Sequence, residues 1–154
     1  MLHYDWEKSI GHWVWLTSHA LRKAASAALL EEGITLRQWE ILAWLSCNGG
    51  ASSQAELADA LGIAPHTLGG VVDRMVRDGL LLRRSCDLDR RKNLVAPTTH
   101  AKSKWAQMAQ ITHQVRSQAT REISEGELEQ FRQTCERIRE NLSGDPGVDR
   151  FQGC

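Results

Sequence analysis

Positively charged side chains are concentrated in one part of the 154-residue sequence. Residues 65–104 contain nine basic and four acidic residues, a net charge of +5, whereas residues 1–64 and 105–154 carry −3 and −2. The whole chain is neutral, so its total charge identifies no partner. Clustered arginines and lysines bind phosphate, because each adds hydrogen-bond donors to a full charge. The chemistry that this segment offers is therefore the binding of a polyanion.

Patterns typical of catalysis or metal binding are not found in the sequence. It contains no G-x-S-x-G, no P-loop and no Ser-His-Asp order, and Gly69-Gly70 lies inside a predicted helix instead of a phosphate-binding loop. The histidines form no H-E-x-x-H motif, and zinc would need three or four converging ligands. We predict a protein that is not an enzyme and that has no cofactor and no metal.

The cysteines and the apolar residues indicate the compartment. No apolar stretch reaches the roughly 18 residues of a membrane helix, and the first eight residues do not resemble a secretory signal. The sequence therefore predicts a cytoplasmic protein with no membrane partner. Cys47, Cys86, Cys135 and Cys154 lie far apart, which favours reduced, inert thiols. One alternative stays open, because Arg83 and Arg84 would lower the pKa of the Cys86 thiol and make it a redox sensor.

Hydrophobic periodicity and capping signals predict the elements that position these residues. Apolar residues spaced three and four apart predict an amphipathic helix over about 5–32. Thr35-x-x-Gln38 and Ser53-x-x-Glu56 are capping boxes, and Pro65 suits the first turn of a helix. The further predictions are helices over Gln54–Leu61 and Pro65–Asp78, strands over Leu80–Ser85 and Lys92–Pro97, helices over 99–121 and 124–142, and a loose tail over 143–154.

The order helix, turn, helix, basic hairpin is that of a winged helix-turn-helix. The fold class that we predict is mainly α with a small β-hairpin wing, a winged helix-turn-helix with N- and C-terminal dimerisation helices. The second helix of the pair would enter the DNA major groove, where the small glycines would let its backbone approach closely. The predicted DNA-binding residues are Ser53, Gln54, Pro65, His66, Thr67, Gly69, Gly70, Arg74, Arg77, Arg84, Asp89, Arg90, Arg91 and Lys92.

The same residues give the chain a resemblance to a known family. The segments that carry it are Gly33–Leu42, Ser53–Gly62, Thr67–Leu80, and Asp89-Arg-Arg91 followed by Pro97-Thr98. They resemble the multiple-antibiotic-resistance-regulator (MarR) family of bacterial transcription factors. The resemblance implies a homodimer with interlocking terminal helices and a wing in which Asp89 orients basic residues while Arg91 enters the minor groove. It also implies that a small aromatic or phenolic effector binds between the dimer helices and the DNA-binding lobe.

Tryptophan supplies six of the nine aromatic residues, and two interpretations of it stay open. Tryptophans bury a large area and anchor interfaces, so the first interpretation is core and dimer packing. The second is an effector crevice, and its predicted lining residues are His12, Trp13, His19, Arg22 and Trp39.

We therefore predict a homodimeric repressor that binds a pseudo-palindromic double-stranded operator and is released by a small aromatic ligand. Residues 5–32 and 99–142 would form the dimerisation helices, residues 34–98 the DNA-binding lobe and residues 143–154 the tail. The alternatives are a cysteine-redox-controlled regulator of the same fold and a winged helix that serves contacts with protein or RNA.

Overall fold

The computed structural model describes residues 5–85 and 93–143. A short 3-10 turn, Trp6–Lys8, precedes the first helix. The remaining elements, in chain order, are α1 Ile10–Glu31, α2 Leu36–Cys47, β1 Ser52–Ser53, α3 Gln54–Leu61, α4 Pro65–Arg77, β2 Leu81–Ser85, β3 Asn93–Pro97, α5 Thr99–Ala119 and α6 Glu125–Ser143. The predicted fold class, mainly helical with a small β wing, is confirmed.

The capping boxes predicted for α2 and α3 are both present. The Gln38 backbone N–H donates to Thr35 Oγ1 at 3.2 Å, and the Thr35 N–H donates to Gln38 Oε1 at 2.8 Å. Ser53 and Glu56 exchange the equivalent bonds at 3.3 Å and 2.8 Å. Each box satisfies two backbone donors that a helix start otherwise leaves unpaired. These starts are therefore fixed by residues three apart in the sequence.

The predicted start of the first helix at about residue 5 is wrong. Ser9 has an extended backbone, with φ −81° and ψ 106°, and its side chain accepts a hydrogen bond from the His12 N–H at 3.2 Å. That bond makes Ser9 the N-cap, so α1 begins at Ile10.

The wing belongs to a three-stranded antiparallel sheet in the order β1-β3-β2. Leu81 pairs with Pro97, and Ser85 with Asn93, as expected for the predicted hairpin. The prediction missed β1, in which Ser52 pairs with Val95 and Ser53 with Leu94. Two residues are too few for an alternating pattern, and their partner lies some forty positions further along the chain.

One hydrophobic core holds the lobe together and also includes Leu29 of α1 and Met108 of α5. Its largest fully buried side chains are Leu29, Ile41, Leu45, Leu57, Leu68, Val72, Met75, Leu81, Val95 and Met108. Burial of each such side chain contributes about 1.5–3 kcal/mol relative to leaving it in water. Since α2, α3, α4 and the sheet all contribute, the core fixes α4 relative to the wing.

Helices α1, α5 and α6 flank the lobe and are its outer helices. Of these, α1 and α6 leave much of their apolar surface in solvent. Leu29 is the one buried residue of α1, and no described side chain of α6 is buried. The large exposed apolar residues on these helices and around them are Trp6, Ile10, Trp13, Val14, Trp15, Leu16, Leu21, Leu30, Ile123, Phe131 and Leu142. The apolar stripes of α1 and α6 are therefore largely uncovered within one chain.

Helix α6 is stabilised by local ion pairs and not by the burial of apolar side chains. Arg132 donates from Nε and Nη2 to the two carboxylate oxygens of Glu129, at 2.9 Å and 2.6 Å. These hydrogen bonds, with a further one from Gln133, lower the pKa of Glu129 to about 2. Residues three apart on a helix are neighbours, so the pair supports the helical conformation directly.

Across residues 5–85 and 93–143, none of the helices combines the length and the apolar character that crossing a bilayer demands.

Candidate nucleic-acid interface

Helix α4 presents a polar face because its apolar stripe is anchored in the core. Leu68, Val72 and Met75 are 0% exposed and repeat at the spacing of helical turns. Pro65 occupies the first turn, where its missing N–H removes no helical hydrogen bond, and Ala64 is the N-cap. The helix is therefore held from one side and leaves the other side free to contact a partner.

Most of the predicted recognition residues lie on that free side. His66, Thr67, Arg74 and Arg77 are exposed, and the two glycines between them are half-buried. The exposed and half-buried members of the predicted set on α4 are Pro65, His66, Thr67, Gly69, Gly70, Arg74 and Arg77. The structure brings these seven residues together on one helix.

The two interior glycines of α4 are not required by the fold. A Cβ added at Gly69 or Gly70 would meet no heavy atom within 4 Å, and neither residue has a positive φ. Glycine inside a helix destabilises it by about 1 kcal/mol relative to alanine. The pair therefore weakens α4 without a packing or backbone reason among the described residues.

An ion pair attaches the wing to α4. Arg83 Nη2 on β2 donates to Asp73 Oδ1 on α4. Successive side chains of a strand point to opposite faces, so Arg84, which is exposed, points away from α4. This pairing was not predicted, because its partners are ten residues apart and belong to different elements. Arg83 thus orients the hairpin, and Arg84 remains available as a surface cation.

Ser53 and Gln54 lie at the start of α3 and are half-buried. The Ser53 side chain is engaged in the capping box described above. The Gln54 side-chain nitrogen is buried and has no hydrogen-bond partner among the described residues. These two residues therefore occupy the helix start that adjoins β1, and their contact with DNA stays a prediction.

The wing-tip residues of the prediction are Asp89, Arg90, Arg91 and Lys92, and all four lie outside the described residues. Cys86, the candidate redox residue, lies outside them too.

The start of α2 forms a second cationic position beside α4. Arg74 and Asp78 line a cavity of about 410 Å³ together with Thr35, Arg37 and Gln38 of the α2 start. Arg37 is not wholly free, because its Nη1 lies 2.7 Å from Glu40 Oε2. The predicted site did not include Arg37, and nothing in its own sequence segment distinguishes it from a solvated surface arginine.

The predicted effector residues fall in separate places. His12 lines a cavity of about 760 Å³ with Trp6 and Trp15, whereas Trp13 and Arg22 line another of about 390 Å³ with Phe131. His19 stacks on Trp15 with ring centroids 5.4 Å apart. Trp39 packs against the core, and its buried indole N–H has no partner among the described residues. The five residues therefore do not form one crevice within a single chain.

Arg22 already has a carboxylate partner. Its Nη1 donates to Glu40 Oε1, an ion pair that joins α1 to α2, and the Glu40 side chain is only 12% exposed. A ligand carboxylate that reached Arg22 would have to compete with this internal one.

A different cavity lies between α2 and α5, where the lobe adjoins an outer helix. It measures about 260 Å³ and is lined by Leu42, Ser46, Gly50, Pro97, Ala101, Lys102 and Trp105. This cavity was not predicted, although Lys102 and Trp105 are three apart and hence lie on one face of a helix. The cavity combines an indole, a hydroxyl and one cation.

The expectation that all four cysteines are reduced and inert is wrong for Cys47. Cys47 is disulfide-bonded, whereas Cys135 is a free cysteine. Spacing along the sequence misled the prediction, because distant cysteines meet when the fold brings their elements together. Among the described residues, no group of three or more histidine, cysteine or carboxylate side chains could hold a metal.

Comparison with known proteins gives this geometry a family. A family model described as the MarR family matches residues 32–92, which include α2, α3, α4 and β2. Residues 32–92 of this chain are therefore similar to that family. A curated relative, the transcriptional activatory protein BadR of Rhodopseudomonas palustris, is 34% identical over 97 residues. That match covers 60% of this chain, and the chain spans about half of BadR, 54% of its length.

Solved structures extend the likeness beyond residues 32–92. The transcriptional regulator PA3341 is 28% identical, with a TM-score of 0.81 over 89% of this chain and 100% of that chain. A cysteine-to-serine mutant of Escherichia coli MarR, crystallised with operator DNA, has a TM-score of 0.75 over 84% of this chain and 92% of that chain. At 20% identity, the latter shows a shared fold alone. The outer helices therefore belong to the same architecture as the domain that they flank.

Proposed function

We propose that this protein is a transcriptional regulator that binds double-stranded DNA in a sequence-specific way. The observation that carries the proposal is the free polar face of α4, which the core fixes relative to the wing and which the ion pair between Asp73 and Arg83 adjoins. A major groove about 12 Å wide admits one helix, whose N-terminal residues reach the base edges. His66 and Thr67 would contact bases, and Arg74 and Arg77 would contact phosphates. This is a binding function, and the proposal includes no catalytic step.

The DNA-binding unit in this proposal is a homodimer. The exposed apolar residues of α1 and α6 support it, because surfaces of this kind are usually covered by another protein surface. A twofold dimer would present two copies of α4 to half-sites about one DNA turn apart, and its operator would be pseudo-palindromic.

The wing arginines give the sharpest test of DNA binding. We expect Arg91→Ala to weaken binding to a selected operator and to lower the salt slope of log K by about 1. Arg116→Ala, which removes the same charge from an exposed site on α5, is the matched control and should leave the slope unchanged. Gel shifts at several salt concentrations measure both. An unchanged slope for Arg91→Ala would remove Arg91 from the interface, and failure of the wild-type protein to prefer any duplex would refute the proposal.

The direction of control in this proposal is repression, by occupying a promoter. BadR, which is similar to this chain, is named an activatory protein, so activation is the other direction to test. A reporter driven by the bound promoter decides between them. Expression should rise when the gene for this protein is deleted, and a fall would make the protein an activator.

We also propose that a small aromatic anion releases the DNA. The cavity that contains Lys102 and Trp105 supports this better than the predicted residues on α1, because one ring would fit its 260 Å³ and a carboxylate would meet a cation. Salicylate is a suitable probe. It should quench tryptophan fluorescence and weaken operator binding in the wild type and in Lys23→Ala, but much less in Lys102→Ala. Equal quenching of all three proteins would contradict this position for the effector.

Redox control is the second candidate, and the disulfide at Cys47 favours it. Operator affinity measured with and without a reductant tests it, with Cys47→Ser expected to abolish any difference. Cys135→Ser is the matched control, because Cys135 is a free cysteine. If the operator affinity of the wild type, Cys47→Ser and Cys135→Ser is the same with and without reductant, redox control is excluded.

A further inference from the structure

Arg37 belongs to a chain of ion pairs that joins α1 and α2 to the cavity beside α4. Glu40 accepts a hydrogen bond from Arg22 of α1 through Oε1, and its Oε2 lies 2.7 Å from Arg37 Nη1. The Glu40 side chain is 12% exposed, so water and salt screen these pairs only weakly. One carboxylate thus faces two guanidinium groups, and the three side chains together keep one positive charge.

The contact with Glu40 holds Arg37 without using its hydrogen-bond donors. Glu40 Oε2 is buried and accepts no hydrogen bond from the described residues, although the Arg37 guanidinium is so close. The pair is therefore electrostatic and lacks the alignment of a hydrogen bond. A guanidinium carries five N–H donors in a fixed fork. The fork of Arg37 is thus held in place and can still bind a second acceptor.

Arg74 of α4 lines the same cavity from the other helix. The cavity of about 410 Å³ lies between Arg37 and Arg74, and its one carboxylate is that of Asp78, a turn beyond Arg74. Two guanidinium groups and one carboxylate leave the cavity cationic. The Arg37 side chain is 35% exposed, so a group that arrives from solvent can reach it. The occupant that this pair favours is an anion with several acceptor oxygens.

The start of α2 favours an anion for a second reason. Its first turn contains Arg37 and no acidic residue, although the positive end of a helix dipole favours acidic residues and disfavours cations. The stability of α2 therefore does not account for an arginine at position 37. The same dipole attracts an anion that enters the cavity beside it.

The place of the cavity on α4 indicates which anion binds. Arg74 follows Gly70 by four residues and Thr67 by seven, so it lies on the polar face that would enter the groove. Asp73, which pairs with Arg83 of the wing, points about 100° away from Arg74 around the helix. The wing and the cavity therefore flank this face on different sides. A helix in the major groove has a phosphate backbone along each of its sides.

We propose that Arg37 and Arg74 together bind one backbone phosphate of the operator, on the strand that lies away from the wing. This inference rests on the proposed DNA-binding function. It adds α2 to the interface and makes Glu40 a positioning residue that holds Arg37 at the cavity. A phosphate contact carries no sequence information, so the pair fixes the register of α4 in the groove without reading a base.

The substitutions Arg37→Ala and Arg22→Ala form a matched pair. Each removes one guanidinium and one ion pair of Glu40, but only Arg37 lines the cavity. Fluorescence anisotropy with a labelled operator at several salt concentrations measures both. Arg37→Ala should lower the salt slope of log K by about 0.9, which corresponds to about eightfold in affinity for each tenfold change in salt. Arg22→Ala should keep the wild-type slope, and so should Arg37→Lys, which retains the charge.

The ratio of operator affinity to random-duplex affinity separates a phosphate contact from a structural role. Arg37→Ala should weaken binding to both duplexes by the same factor, because the contact does not depend on sequence. A substitution that shifted α4 out of place would weaken operator binding alone and lower the ratio.

Neutral methylphosphonate linkages locate the phosphate. Each phosphate of one operator half-site is replaced in turn, and the affinity of each protein is measured. At one phosphate, on the strand away from the wing, the loss should be about eightfold smaller for Arg37→Ala than for the wild type. Arg22→Ala should show the same losses as the wild type at every position.

The outcomes separate this inference from the function on which it rests. If the wild type prefers no duplex, the proposed function fails. If the wild type selects an operator but Arg37→Ala keeps the wild-type salt slope, lowers the affinity ratio or shows no difference at any single phosphate, the phosphate site at Arg37 is refuted and the proposed function stands.

Discussion

The winged lobe and the outer helices differ in the solvent exposure of their apolar side chains. Leu57, Leu68 and Val72 of the lobe are 0% exposed, whereas Trp13 of α1 and Phe131 of α6 are 55% and 59% exposed. All these residues lie on helices, and the same three- and four-residue spacing predicted helices in both regions. The core of the lobe is complete within one chain and includes Leu29 of α1 and Met108 of α5, whereas most apolar side chains of α1 and α6 stay exposed. The lobe should therefore fold independently of protein concentration, while the outer helices should depend on association.

The largest expected effect is a loss of stability in the lobe. Leu57→Ala should lower the free energy of unfolding by about 2–5 kcal/mol, because it leaves a cavity among fully buried side chains. Chemical denaturation at two protein concentrations measures this, and the loss should be the same at both. Leu82→Ala, at a leucine that is 41% exposed, is the control and should change stability far less. If Leu57→Ala lowered the free energy of unfolding only at low protein concentration, the lobe would depend on association as the outer helices do.

A smaller effect, seen in association, is expected at the outer helices. Phe131→Ala should raise the dimer dissociation constant about tenfold, since exposed aromatic residues that anchor interfaces contribute about 1–3 kcal/mol. Sedimentation equilibrium measures it, with the exposed Gln130→Ala as control. A wild-type protein that is monomeric at micromolar concentration would show that these surfaces are not a self-association interface.

The smallest effect is expected where the two regions join. Thr98 Oγ1 donates to the Gly79 carbonyl at 2.6 Å and accepts from the Ala101 N–H at 3.1 Å, so it connects the end of α4 with the start of α5. Thr98→Val should cost about 1 kcal/mol of stability, which denaturation would detect. Thr98→Ser keeps the hydroxyl and should retain most of it. Equal losses in both variants would mean that the methyl group, not the hydrogen bonds, matters at this junction.

Several features of the site were predictable because they are local. The Thr35 and Ser53 capping boxes, Pro65 in the first turn of α4 and the buried stripe of Leu68, Val72 and Met75 all involve residues within a few positions of each other. They placed the recognition residues on one exposed face before any tertiary contact was known. The division into lobe and dimerisation helices is still a prediction, since only the effect of concentration on folding and association tests it.

Within one chain, the predicted effector residues line different cavities for a physical reason. His12 and Trp13 are adjacent in sequence, but side chains one position apart on a helix point about 100° apart and line different cavities. Arg22 is hydrogen-bonded to Glu40, eighteen residues further along the chain, and no sequence pattern near Arg22 predicts that partner.

By itself, the sequence determined where α2, α3 and α4 start, which faces are apolar and where cations concentrate, because hydrogen bonds and helical periodicity connect residues three or four apart. The tertiary structure alone decided that β1 joins β3, that Arg83 binds Asp73, that Lys102 and Trp105 share a cavity with α2, and that Cys47 is disulfide-bonded. Each of these depends on distances between elements. Such distances are set by how the whole core packs, and no short segment contains that information.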